Sequence, residues 1–453
     1  MRSDAAQNAE RVLRSASALL RTVPEASLEE IAAAAQVSRA TVYRHFGSRA
    51  GLVEAARRRA DAQPPSVDAE ELPPLDVTDV LNKVPPQLLG DQVVSEARRL
   101  AGVTSAALYL IDIEGAHLVR LAGSEEFPAT LDVPLAVGPE LPRDALPALR
   151  AQVERELAGS VLAPLSLRGR TLGVLLAVDA PEPALAALAR HAAVALAVAD
   201  AYTDVFDSAR RRRETTPAAE IQQHLLPPRI ARLTGAIVAG NVIPGYATGG
   251  DWFDYAENRD GVWLGVADSA GHGTTAAALA AVVLGAFRAK RKVTGELGAV
   301  LRAMRHAIAE VAVDGACVDA TIARWHGPSN TFTWITCGDP RPLLIDEHGA
   351  VTELACPDYD SLGRGAADRD LEATRHRLLP GQRLVLVSDG VLARRTRDGG
   401  VFGIEGIRAL ARRTPAATAP ETVRALEDAL TASSEDGFQD DATTVVLAPT
   451  SPG

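Results

Sequence analysis

Apolar and polar positions divide this chain into three regimes separated by polar or proline-rich breaks. In SLEEIAAAAQVSRATVYRHF (27–46), the spacing of Ile31, Val37, Val42 and Phe46 predicts two short helices joined by a tight turn. Ser27, with Glu30 three positions on, forms a capping-box pattern, and Ser38 is placed to cap the second helix. Pro64, Pro65, Pro73 and Pro74 then disrupt helix and favour an extended linker. Beyond it, SAALYLIDI and GAHLVRLAG predict paired strands about a Glu114-Gly115 turn. SVLAPLSLRGRTLGVLLAVDA predicts a second hairpin turning at Arg168-Gly169-Arg170. An Ala-rich helix is expected from about Pro183 to Arg213, with Leu185, Leu188, Val194 and Val198 as a core stripe. Pro217 interrupts it before the amphipathic AAEIQQHLLPP, and from Ile237 strands and helices alternate to the end.

These breaks give five segments: a helical head (1–62), a Pro-rich linker (63–75), a mixed α+β segment (76–205), a helical linker (206–216) and an α/β segment (217–449). A length of 453 residues is too long for one ordinary core and suggests two or three domains. With 47% hydrophobic and 23% charged residues, the balance is that of a globular protein rather than a disordered one. Cys317, Cys337 and Cys356 form no CxxC pair and leave an odd thiol, which argues against a disulfide framework. The opening MRSDAAQNAE has no apolar stretch, and no run of about 18 apolar residues predicts a membrane span, so the expectation is a cytoplasmic protein without membrane association. The net charge of −11 is uneven: residues 1–60 hold ten arginines and six acids, a net +4 that leaves −15 for the remainder. A basic head on an acidic body suits a nucleic-acid-binding module joined to an enzyme.

The stretch IAAAAQVSRATVYRHFGSRAGLV resembles the DNA-binding domain of TetR-family regulators over about residues 7–55. The resemblance implies an all-α helix-turn-helix whose second helix enters the major groove, with Ser38, Arg39, Thr41, Tyr43, Arg44 and His45 as candidate DNA contacts. That family usually has Gly in the turn where Gln36 stands; a left-handed backbone at Gln36 would cost roughly 1 kcal/mol. The all-helical ligand-binding domain usual in TetR regulators has no counterpart in the sequence. The order of elements over 76–205, with VLAPLSLRGRTLGVLLAVDA, resembles a GAF domain, which implies an α+β sensor that binds an unspecified small molecule or dimerises. The segment has no cysteine, which argues against covalent bilin attachment and thiol redox sensing. Its long helix, paired with its twin, would make a homodimer.

Four acidic patches mark the C-terminal segment: Gly249–Tyr255 (GGDWFDY), Gly265–Gly273 (GVADSAGHG), Leu384–Val391 (LVLVSDGV) and Asp440–Leu447 (DDATTVVL). WLGVADS and LVLVSDG are apolar strands ending in Asp, and DDATTVVL begins with acids and enters a strand. Carboxylates at strand ends are rigidly placed and can converge from distant positions. Hard divalent cations take such oxygen ligands and need neither thiolate nor imidazole. With AAEIQQHLLPP and CGDPRPLLI, the patches resemble SpoIIE-type PPM (protein phosphatase 2C-like) serine/threonine phosphatases over about residues 215–448. The resemblance implies an α/β/β/α sandwich holding two divalent ions, Mn²⁺ or Mg²⁺, at one end. By it, Asp268 bridges both ions and the Ser269 carbonyl binds one. Asp389 and Asp441 hold the other, with Asp251 contributing directly or through water. Asp268, Asp389 and Asp441 are then the catalytic set, around a water nucleophile and with no phospho-enzyme. Asp254 and Asp440 read as supporting or capping groups, and His272 as structural. The family often has an aromatic or His where Asp339 stands.

The combination implies a regulated protein phosphatase acting on a phosphorylated anti-sigma-factor antagonist of the STAS type, controlled by the GAF-like segment and tethered to DNA by its head. The competing reading is a ligand-responsive TetR-like regulator in which the phosphatase segment is a non-catalytic scaffold; acids in all four patches speak against it.

Overall fold

The computed structural model describes residues 75–212, 214–244, 249–311, 315–364 and 370–450, with 12, 15, 16, 26–35, 37–49 and 51–53 nearer the N-terminus. Two compact units emerge, Met1–Leu72 and Pro73–Gly453. In the first, helices α1 (Leu28–Ala34) and α2 (Arg39–Phe46) form as their caps direct. The Ser27 amide donates to Glu30 Oε2 at 2.7 Å and the Glu30 amide to Ser27 Oγ at 3.2 Å, closing the capping box. Ser38 Oγ accepts from the Thr41 amide at 3.2 Å. Ile31, Val42 and Leu52 are fully buried between these elements. Gln36 and the side chains of Arg44 and His45 lie outside the described residues. So does the linker expected over 63–75, apart from Leu75, where a helix already begins.

The second unit starts with helices α3 (Leu75–Lys83) and α4 (Leu89–Ala101) and an antiparallel sheet of β1 (Ala106–Ile111), β2 (His117–Gly123), β3 (Thr130–Asp132), β4 (Leu141–Pro142), β5 (Ser160–Leu167) and β6 (Arg170–Val178). Arg168 and Gly169, both at positive φ (49° and 90°), make the β5–β6 turn. Helix α5 (Leu146–Glu156) lies on one face of the sheet, while α4 and α6 (Glu182–Ala199) pack on the other.

The Ala-rich helix does not run to Arg213. It ends at Ala199, and after a short 3₁₀ turn Thr203 is extended (φ −154°, ψ 144°) before α7 (Val205–Arg210). Tertiary contacts override helix propensity here: the Ile113 amide donates to the Arg210 carbonyl at 3.2 Å, and Arg210 pairs with Asp200 at 3.5 Å across the break. The expected core stripe also divides. Leu185 and Leu188 are buried, whereas Val194 and Val198 are 51% and 57% exposed, because the sheet covers only one side of the helix. Among the described residues, Glu182–Tyr202 is the one helical stretch long and apolar enough to cross a membrane by length and composition, and its buried positions pack on the sheet as a core helix would.

After α8 (Pro217–Leu225), two sheets stack face to face. One is ordered β15-β12-β11-β10-β9 and comprises β9 (Asp251–Asn258), β10 (Gly261–Ser269), β11 (Val318–His326), β12 (Thr331–Cys337) and β15 (Thr374–Arg377). The other is ordered β14-β13-β16-β17-β8-β7 and comprises β7 (Ile230–Leu233), β8 (Ala236–Ile243), β13 (Leu343–Ile345), β14 (Val351–Glu353), β16 (Arg383–Val387) and β17 (Ala442–Pro449). Alternation sorts the side chains: Leu264 and Val266 of β10 face the other sheet with Trp325, Trp334, Leu386 and Val445, while Trp263 and Ala267 face outward. Helices α9 (Gly273–Lys290) and α10 (Leu297–Val311) cover that outer face. The second sheet is covered by α12 (Gly403–Arg413) and α13 (Ala419–Ser433), with the one-turn α11 (Asp389–Leu392) after β16. The result is the expected α/β/β/α sandwich.

Candidate metal centre

Antiparallel register, rather than sequence proximity, assembles the site. In β10 the inward face continues from Leu264 and Val266 to Asp268 at the strand's end. Asp268 stands opposite Asp251 of β9 on one side and Asp319 of β11 on the other. Directly paired residues share a face, so three carboxylates form a row across one end of the sheet. From the facing sheet, Asp389 follows β16 and Asp441 precedes β17, and these strands are themselves paired. The Ser388 amide donates to the Thr443 carbonyl at 3.0 Å, and the Thr443 amide to Ser388 Oγ at 2.9 Å, which locks the two acid-bearing ends together. Gly390 permits this closeness, since a Cβ there would lie 2.1 Å from the Asp441 carbonyl oxygen. Gly250 does the same for Ser269, whose carbonyl would meet a Cβ at 2.4 Å.

The acids run from the interior to the surface, with Asp251 and Asp441 buried, Asp268 half-buried and Asp389 exposed. Asp251 is 1% and Asp441 2% exposed. Burial, followed by the charges of Asp268 and Asp441, holds the Asp251 carboxyl well above the usual carboxylate range, although Thr443 Oγ1 donates to its Oδ2. Asp251 Oδ1 is buried with no hydrogen-bond partner. Asp268 is pushed up to about 8 by burial, then by the charge of Asp389 and a hydrogen bond with it. Burial, then the charges of Asp389 and Asp441, raise Asp440, whose Oδ1 accepts from the Asp441 amide at 2.8 Å. Asp441 Oδ2 accepts from Gln222 Nε2 at 2.6 Å and from the Gly249 amide at 3.0 Å. Among the described residues no group of three or more acidic, His or Cys side chains is placed to hold a metal ion as it stands; these acids are held by neighbours and by one another. A buried carboxylate oxygen with no donor, among acids that repel one another into protonation, is a donor set that suits a hard cation.

Asp254, three residues along β9 from Asp251 and on the opposite face, points to the helices: Arg288 donates to both its oxygens at 3.0 Å and Arg291 lies 2.7 Å away. It is a structural ion pair. His272 is the N-cap residue of α9 and makes no side-chain capping bond.

Sequence reasoning passed over Asp319 and the amide of Gln222, and named Asp339 only as a departure from the family's usual residue. Asp319 is raised by burial, with Ser361 and the Asp339 amide bonding to it, and with Asp268 and Asp339 it lines a cavity of about 20 Å³, which also takes in Ser388. Gly338 (φ +80°) keeps that carboxyl's space, since a Cβ would lie 2.0 Å from Asp319 Oδ1. The available signal was the polar position ending the inward face of VDATIARW. Gln222 left no such signal.

The N-terminal candidates form a separate surface. Tyr43 is 62% exposed, and Arg39 is exposed and pairs with Glu29. The Ser38 and Thr41 hydroxyls bond each other at 2.8 Å, a helix-capping arrangement.

Residues 258–449 match the family model for stage II sporulation protein E (SpoIIE), and residues 21–56 match that for bacterial regulatory proteins of the tetR family. No curated protein matches the chain. Solved structures similar to it include the RsbU and RsbW domains of a Mycobacterium tuberculosis protein, at 24% identity and a TM-score of 0.42 over 50% of this chain and 64% of that one. The SiaA-PP2C domain of Pseudomonas aeruginosa gives 22% identity and a TM-score of 0.41 over 47% of this chain and 86% of that one. For the phosphatase domain of SpoIIE from Bacillus subtilis the values are 13% and 0.35, over 49% and 96%. Acidic strand ends thus converge in an α/β/β/α sandwich whose residues 258–449 carry the match to the SpoIIE family model, and the tetR-family match lies in the separate helical unit.

Proposed function

We propose that this protein is a metal-dependent serine/threonine protein phosphatase whose substrate is a phosphorylated anti-sigma-factor antagonist of the STAS type. The observation that carries the reading is the convergence of Asp251, Asp268, Asp389 and Asp441 at one end of the sandwich, where burial and mutual repulsion drive carboxyls toward protonation. Asp268 sits between the two groups of acids, and with the Ser269 carbonyl, Asp389, Asp441 and, directly or through water, Asp251, it would hold two divalent ions, Mn²⁺ or Mg²⁺. When bound, such a pair supplies Lewis-acid activation of water and charge neutralisation for in-line displacement at phosphorus. The chain's own contribution is to fix the acids rigidly at strand ends. Asp319 and Asp339 extend the acidic wall along the cavity. In this reading the GAF-like segment sets activity through the 206–216 connector, which it grips at Arg210. The TetR-type segment binds DNA through the α2 surface around Ser38, Arg39, Thr41, Tyr43, Arg44 and His45, once Arg39 exchanges Glu29 for phosphate.

The full-length protein should hydrolyse p-nitrophenyl phosphate and a phosphoserine antagonist with Mn²⁺, and Asp268→Asn and Asp389→Asn should each abolish turnover. Activity that survives both substitutions would refute the metal assignment. Salt-sensitive DNA binding with no metal-dependent turnover in the wild type would instead favour a transcriptional regulator carrying a phosphatase-shaped scaffold.

A further inference from the structure

We infer that Gln222 of helix α8 is a positioning residue that holds Asp441 and Asp251 in the attitude a divalent cation requires; the inference rests on the metal-dependent reading above. Gln222 is 1% exposed. Its Nε2 donates to Asp441 Oδ2 at 2.6 Å and to the Asp251 carbonyl at 3.0 Å. A carbonyl accepts only, and an ionised carboxylate does the same. Exchanging the amide's oxygen and nitrogen would set three acceptors against one another, so the orientation follows from chemistry. Asp441 Oδ2 also takes the Gly249 amide at 3.0 Å and the Asp251 amide at 3.5 Å, and three donors on one oxygen fix the rotation of the carboxylate. The bond to the Asp251 carbonyl ties the start of β9 to the same point.

The other half of the amide shows what the residue is for. Gln222 Oε1 is buried and accepts no hydrogen bond. A buried polar atom left unmet costs about 1–3 kcal/mol, which Leu or Met of similar size would avoid. Core filling therefore does not account for the glutamine, whereas donation to a metal-site carboxylate does. Nor is Gln222 needed to seat its helix. Thr216 Oγ1 caps α8 by accepting from the Ala219 amide at 3.2 Å, and Arg211 reaches Glu220 at 2.7 Å. Arg288 donates to the Leu225 carbonyl at 2.8 Å, and Arg229 to Gln223 Oε1 at 2.8 Å. The helix is anchored at both ends by other groups, and Gln222 transmits its position to the acids.

The test uses the full-length chain and Mn²⁺ alone, titrated calorimetrically into wild type, Gln222→Met and, should Met not fit, Gln222→Leu. Loss of a group that orients a ligand weakens metal binding about tenfold to a hundredfold. The metal-free variant should unfold no earlier than wild type, because an unmet polar atom is removed. A folded variant that binds Mn²⁺ as tightly as wild type overturns the role of Gln222 and leaves the phosphatase reading intact. Wild-type protein that binds no Mn²⁺ overturns both.

Discussion

Replacing the central carboxylate should make the metal-free protein more stable while destroying its metal site. Asp268 is held at about 8 against an ordinary value of 3.8, so the folded chain at pH 7 keeps a proton that the unfolded chain releases. Retaining it costs about 4 kcal/mol at ~1.4 kcal/mol per unit. Proton sharing with Asp251 and Asp389, and relaxation of their carboxyls, reduce this to about 2 kcal/mol. Asp268→Asn removes the titrating group and keeps its shape, so it should gain roughly that amount, a rise of about 4–8 °C in the melting temperature of a domain this size. A raised carboxylate value means stability fully present only below the unfolded value of 3.8, where both states are protonated, and lost as pH rises toward about 8. The variant's advantage should therefore vanish below that unfolded value and grow toward alkaline pH.

Intrinsic fluorescence reads this cleanly, because all four tryptophans, Trp252, Trp263, Trp325 and Trp334, are buried in the sandwich. Melting in EDTA across that pH range gives the difference, and adding Mn²⁺ should raise the wild-type midpoint but not that of Asp268→Asn. A variant that melts below wild type at pH 8 in EDTA would refute the idea that repulsion among these acids is stored in the folded state.

Two further perturbations separate the site from its supports. Asp254→Asn strips Arg288 and Arg291 of their shared carboxylate and should cost on the order of 2–3 kcal/mol in denaturant unfolding, the Arg288 share reduced by its partial exposure. Calorimetric Mn²⁺ affinity should be unchanged, because the carboxyl points to the helices. Gly338→Ala places a methyl against Asp319 Oδ1 at a left-handed φ and should destabilise the fold by about 1 kcal/mol or more while lowering phosphatase turnover, both measurable on one preparation.

What the sequence disclosed and what it withheld follow from how the site is built. Asp268, Asp389 and Asp441 sit where an apolar run stops or starts, and a strand's inward face leads straight to them, so their convergence was readable from alternation and motif order. Asp319 sits at an equally placed strand end, but Cys317-Val318-Asp319-Ala320 resembles no motif. Only the register opposite Asp268 reveals it. The break at Thr203 and the exposure of Val194 and Val198 depend on which side the sheet covers, which helix propensity does not encode. Gln222 shows this limit most sharply. It bonds a residue 219 positions away, from a helix whose pattern distinguishes only an apolar and a polar side. Patterning assigns residues to faces, whereas a side chain that joins one element's seat to another's ligand is specified by the packing of both. The residues that hold the chemistry were therefore readable along the chain, and those that adjust it became visible only once the sheets had closed over them.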